Sequence, residues 1–153
     1  MIGQNKTLKT AIIALAIAIA IAAGIGYTAG TTKSGKMIAA GDMKWQKIGD
    51  GPLMMVALWG DHSKGASGRL LKLPAGFAAP KHSHTGDYHA ILLSGTWKHT
   101  FKDGTSKDLP AGSYVYQPGK INHDDECVSK EPCVIFLTQP VASDFIPAEM
   151  HQE

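Results

Sequence analysis

The sequence predicts an all-β barrel or sandwich behind an apolar N-terminal helix. Three observations carry this. From about Met43 the chain breaks into short apolar segments divided by Gly, Pro, Asp and Ser. After the N-terminal apolar run, no long stretch repeats its apolar residues with the 3.6-residue period of a helix. His82 and His84 stand two apart, the spacing that puts two side chains on one face of a strand.

Taken in order, the chain begins with MIGQNKTLKT, which carries two lysines and no acid, followed by the uncharged run Ala11–Tyr27. At about 1.5 Å per residue these 17 residues make roughly 25 Å of helix, slightly short of a hydrocarbon core of about 30 Å. A basic start, an apolar centre and small residues near Ala23 and Ala29 fit a secretory signal peptide over residues 1–30. An uncleaved membrane anchor through residues 11–27 is the competing reading, with the domain outside by the positive-inside rule. Both export the domain to a periplasmic or extracellular location. No cysteine follows the run closely, which argues against a lipid anchor, and no arginine pair precedes it, which argues against the twin-arginine route. Residues 31–42 read as a linker and 43–149 as the barrel.

Within the barrel, Leu53–Gly60 is a buried-strand candidate after the turn Gly49–Pro52, and Gly60–Gly68 reads as a loop. Arg69–Leu73 is a second strand closed by Pro74. Tyr88–Ser94 and Thr96–Phe101 flank Ser94-Gly95 in the manner of a hairpin. Short strands follow at Lys107–Leu109 and Ser113–Gln117, and Asn122–Val128 with Val134–Gln139 reads as a last hairpin. The tail from Val141 is expected to pack Phe145 and Ile146 on the barrel. Tyr88, Trp97, Tyr114, Tyr116 and Phe136 are expected to line or pack it.

Charge narrows the partners. All 13 acidic residues lie beyond residue 36, whereas four of the 15 lysines and arginines lie at or before it, so the folded part is slightly acidic. With no Lys/Arg cluster, a nucleic-acid surface is excluded as an expectation. A small-molecule ligand or substrate is the expected partner. The Leu53–Trp59 segment is a candidate edge for a homodimer.

Two segments then carry a resemblance. Gly76, five residues, His82-Ser-His84, four residues, His89, five residues and Gly95 follow the first motif of the cupins, G-x5-H-x-H-x3–4-E-x6-G. Gly112, five residues, Pro118 and His123 five beyond it resemble the second, G-x5-P-x-G-x2-H-x3-N, with the glycine at 119 instead of 120 and Cys127 in the Asn place. The resemblance implies a double-stranded β-helix (cupin or jelly-roll) barrel holding one divalent transition metal. It implies His82, His84, His89 and His123 as ligands, with His89 replacing the usual glutamate. Four neutral imidazoles would leave the ion its full charge. They suit Zn, Cu, Fe or Ni, with Mn also open, and do not choose among them. Asp87, two before His89, is expected as a further ligand or as an acceptor orienting a histidine N–H. His62, His99 and His151 are read as ordinary core or surface residues, and Asp124-Asp125-Glu126 as a solvated turn.

Cys127 and Cys133 are expected to pair as a disulfide in an exported protein. The alternative is Cys127 as a thiol near the metal. For function, the resemblance implies a metal-dependent oxidoreductase of dioxygenase type acting on a small organic compound. A non-catalytic zinc- or ligand-binding module for sensing is the rival.

Overall fold

A computed structural model of the chain describes residues 34–148. The leader, signal or anchor and His151 lie outside the described residues. Among those described, no helix is long and apolar enough to cross a membrane.

Two antiparallel sheets face one another. The first orders its strands as β1 (Gln46–Lys47), β2 (Met54–Gly60), β3 (Ser67–Leu73), β10 (Cys133–Gln139), β5 (Tyr88–Ser94) and β8 (Tyr114–Gln117). The second orders β11 (Ile146–Pro147), β4 (Ala78–Ser83), β9 (His123–Cys127), β6 (Thr96–Phe101) and β7 (Ser106–Pro110). This all-β, jelly-roll arrangement agrees with the expected fold class.

Alternation decides what each strand buries. Along β5, Tyr88, Ala90 and Leu92 are buried while His89, Ile91 and Leu93 are exposed. Along β10, Cys133, Ile135, Leu137 and Gln139 are buried. The inward residues of both sheets meet in one core around Leu92, Trp97 and Ile135. A fully buried Leu or Ile contributes about 2 kcal/mol by transfer. Of the aromatics expected inside, Tyr88 and Trp97 are there, whereas Tyr114 and Tyr116 are exposed.

Both expected hairpins around the site are corrected. β5 pairs with β10 and β8, and β6 with β7 and β9, so the turn at Gly95 carries the chain between sheets. Likewise β9 and β10 belong to different sheets. A tight turn reads the same in sequence whether it returns the chain within a sheet or across to the other. The hairpin of this region is β6–β7, where the Asp103 carboxylate accepts the Thr105 N–H at 2.9 Å.

Cys127 and Cys133 form a disulfide with a Cα–Cα distance of 5.7 Å, joining the ends of β9 and β10 and hence the two sheets. Gly95 passes so close that a Cβ there would lie 2.9 Å from the Cys133 sulfur, and its φ of 85° also favours glycine. Replacing both cysteines by serine is expected to lower stability by about 2 kcal/mol, the loop-closure term for so short a loop. A urea midpoint unchanged by the double substitution would contradict this.

Candidate metal centre

β4 and β9 lie side by side with His82 directly opposite His123. His84 follows two residues later, just past the end of β4. One ring nitrogen from each of His82, His84 and His123 lies within 4.8 Å of the others. His82 and His123 are buried, and His84 is half-buried.

The other ring nitrogens explain why these three converge. Nδ1 of His82 donates to the Pro80 carbonyl at 2.8 Å, Nδ1 of His84 to the Asp144 carbonyl at 2.6 Å, and Nδ1 of His123 to the Ile121 carbonyl at 3.3 Å. A carbonyl only accepts, so each Nδ1 carries the proton and each Nε2 keeps its lone pair. Outer hydrogen bonds of this kind fix the tautomer and orientation of metal-binding imidazoles. Burial lowers the proton affinity of His84 and brings the His82 pKa down to about 4, with the neighbouring His123 adding to the effect. The donor set therefore fits a divalent transition metal held by three neutral nitrogens.

These shifts set a pH dependence for the metal-free chain. Between pH 6.5 and about 4 the unfolded state binds a proton at His82 that the folded state refuses. Stability accordingly rises with pH through that window and is lost as pH falls through it, by about 3 kcal/mol in full. Urea titrations of chelator-treated protein at pH 7 and pH 4.5 should differ in this direction, and equal midpoints would contradict it.

His89 is corrected. It faces outward from β5, is exposed, and meets the Tyr114 hydroxyl at 2.7 Å through Nδ1. Strand alternation turns its neighbour Tyr88 inward instead, with its hydroxyl 3.3 Å from Nε2 of His123. Counting from the other end of the motif gives the same answer: His84, three residues, Tyr88, six residues, Gly95. Tyr88 thus holds the place of the family's glutamate. Burial raises its pKa well above the usual phenol value, and the negative Asp125 adds to this, so it remains a neutral O–H.

Asp87 is corrected as well. Its carboxylate accepts the Tyr116 hydroxyl at 2.9 Å and the Gly119 N–H at 2.8 Å, on the surface and away from the three imidazoles. It tethers the loop after β8, whose Lys120 N–H donates to the His84 carbonyl at 2.7 Å. This loop also explains the displaced motif glycine. A Cβ on residue 119 would lie 2.6 Å from the Thr85 oxygen, while Lys120 accepts the left-handed φ of 62°.

The acidic triplet after His123 is not a solvated turn. On β9, His123, Asp125 and Cys127 share the inward face. Asp125 Oδ2 lies 3.5 Å from Nε2 of His123 and 3.8 Å from Nε2 of His82. Its Oδ1 accepts the Trp97 indole N–H at 2.9 Å and His99 Nδ1–H at 2.7 Å. The other His99 nitrogen faces Gln117 Oε1 at 3.2 Å, and the Gln117 amide nitrogen is committed to the carbonyls of Pro118 and Ile121. His99 thus sits buried between the Asp125 carboxylate and the Gln117 amide oxygen, held at both ring nitrogens. Burial would push the Asp125 carboxyl up, but the neighbouring His123 and His99 rings outweigh it and hold the group below the usual carboxylate range.

His82, His84 and Asp125 form part of the wall of a cavity of about 360 Å³ inside the barrel, otherwise largely apolar, with Leu71, Phe77 and Leu137 on it. Three consecutive tail residues close one side. Ser143 Oγ accepts from Arg69 at 2.9 Å, Asp144 holds His84 through its carbonyl and Thr85 through its carboxylate, and Phe145 stacks on the His82 ring at 4.4 Å.

The sequence model of the ChrR Cupin-like domain matches residues 33–142. No sequence match to a curated protein is found. Among solved structures, an RmlC-like cupin protein from Ralstonia eutropha JMP134 is similar at 25% identity and a TM-score of 0.58, over 73% of this chain and 71% of that one. The polyketide cyclase RemF from Streptomyces resistomycificus superposes with a TM-score of 0.65 at 13% identity, over 78% of this chain and 89% of that one. A chain from the Rhodobacter sphaeroides complex of SigE with the anti-sigma ChrR gives a TM-score of 0.54 at 22% identity. That match covers 66% of this chain and about half, 51%, of the other. The last two likenesses bear on the fold alone.

Proposed function

The chain belongs to the ChrR cupin-like family, and from that premise we propose a metal-binding cupin acting on a small organic substrate outside the cytoplasm. The observation that carries this is the trio His82, His84 and His123, each with Nδ1–H tied to a carbonyl and one nitrogen of each within 4.8 Å of the others, with His82 and His84 on the cavity wall. Three protein nitrogens leave coordination positions for a substrate, as catalytic sites do. An ion held there would supply Lewis-acid polarisation of a carbonyl or enolate and, if iron, copper or manganese, redox capacity of the dioxygenase type.

The chain's own groups divide the remaining work. Tyr88 presents a neutral O–H beside His123 and can donate to a substrate oxygen. Asp125 keeps a fixed negative charge against two of the imidazoles. Phe145 and the apolar wall exclude water from one side. The lysine-bearing apolar leader and the disulfide support export.

A second reading is a sensing module that binds a metal or small ligand and regulates a partner. The family description favours it, because ChrR is an anti-sigma protein found in complex with SigE. X-ray absorption on the purified, metal-loaded chain separates the two. Three imidazole nitrogens with at least one exchangeable oxygen ligand are expected. A closed shell of protein ligands only would reject the enzyme and leave the sensor.

A further inference from the structure

The cavity wall opposite in character to the imidazoles holds Arg69, the only arginine of the sequence. It is 5% exposed, on the inward face of β3. Its Nη2 donates to Gln139 Oε1 at 3.1 Å and to Ser143 Oγ at 2.9 Å, which fixes the plane of the guanidinium. No carboxylate among the described residues pairs with it, and its Nη1 has no hydrogen-bond partner in the protein. The other buried side-chain atom without a partner among the described residues is the hydroxyl of Ser67, two residues earlier on the same strand.

Buried charges are ordinarily paired, since an uncompensated one is costly. An unmet buried N–H alone costs about 1–3 kcal/mol, and such exceptions in a well-satisfied interior call for a reason. Here both neutral partners of Arg69 serve to aim it, and Arg69 is among the residues lining a cavity of about 360 Å³. That cavity is at the lower end of the range for small-molecule pockets, roughly 300–1,000 Å³. A planar guanidinium fork matches a carboxylate.

We propose that Arg69 is the anion-recognition residue of this cavity and that the ligand is a small organic monocarboxylate. Its apolar body lies against the aliphatic wall and its carboxylate pairs with the Arg69 guanidinium. This deepens the reading of the site given above, resting on it for the place of the substrate, while Arg69 itself needs no metal. Charge complementarity selects the class: one buried cation without an acidic partner admits one negative charge, and the apolar wall disfavours a bare inorganic anion.

The test uses the full chain with its metal, and the probes are benzoate, its neutral counterpart benzamide, and inorganic phosphate. Benzoate is expected to bind at least about tenfold more tightly than benzamide, with phosphate weaker still. Arg69→Gln should abolish that preference and Arg69→Lys should keep part of it, both retaining wild-type metal content. Equal binding of benzoate and benzamide, binding of neither, or phosphate in preference to benzoate overturns the proposal. So does a benzoate preference that survives Arg69→Gln but disappears when metal is removed, which would assign the anion to the metal. Loss of metal in the wild type together with an intact Arg69-dependent preference would fail the metal reading and leave this one standing. Because the chain has one arginine, phenylglyoxal labelling followed by mass spectrometry gives a check that needs no variant. Benzoate should slow labelling at Arg69 and benzamide should not. Equal rates, or no labelling of the folded chain, would overturn the proposal.

Discussion

Asp125→Ala is expected to destabilise the metal-free chain by about 2–5 kcal/mol, the cost of leaving two buried N–H donors without an acceptor. Two groups lose their acceptor at once. The Trp97 indole N–H and His99 Nδ1–H both donate to Oδ1, and alanine leaves both buried with nothing to accept them. Asp125→Asn keeps an oxygen for Trp97 or His99 but not the charge, and should fall between the wild type and alanine. Urea unfolding at pH 7 reads the difference directly. A loss under about 1 kcal/mol for alanine would mean that Asp125 and His99 are not paired.

The second large effect separates the inward histidines from the outward one. His123→Ala should lower metal affinity by at least about a hundredfold, since even outer-sphere partners of a metal ligand are worth ten- to a hundredfold. His89→Ala should leave affinity within about twofold, because it removes an exposed contact with Tyr114 and nothing at the cluster. Titration with zinc against a competing chelator measures both. Comparable losses in the two variants would contradict the placement of the site.

Much of this site was legible in the sequence, and the misreadings have physical causes. His82 and His84 were visible because their spacing is a property of one strand, and His123 because a turn precedes it at a motif distance. The choice between Tyr88 and His89 turned on one residue of register. The motif's three-to-four-residue spacing after His84 admits either, while the six-residue count back from Gly95 selects Tyr88. Strand alternation puts His89 on the outer face, and Asp87, of the same parity, is exposed with it. Asp125 shared parity with His123 and Cys127, so its inward direction could be read. Its burial could not, since three consecutive acids resemble a solvated turn until Trp97 and His99, 28 and 26 residues away, supply the donors.

Other features live on tertiary links that local sequence does not carry. The turns at Gly95 and between Cys127 and Cys133 cross between sheets, so the disulfide joins sheets where a hairpin was expected. Arg69 looked like one polar residue in a short strand. Its interest comes from Gln139 and Ser143, 70 and 74 residues away, which orient it without neutralising it. The tail was expected to pack Phe145 on the barrel, and Phe145 does stack on His82. That its neighbours Ser143 and Asp144 reach Arg69 and His84 was not visible.

The most direct test of the central claim is the metal content of the full chain, purified and dialysed without chelator and analysed by elemental mass spectrometry. The three convergent imidazoles predict about one divalent transition metal ion per chain, as for other single-ion protein sites. A folded chain that retains less than about a tenth of an equivalent, even after loading with zinc, iron, copper, manganese or nickel, would contradict the assignment of His82, His84 and His123 as a metal centre.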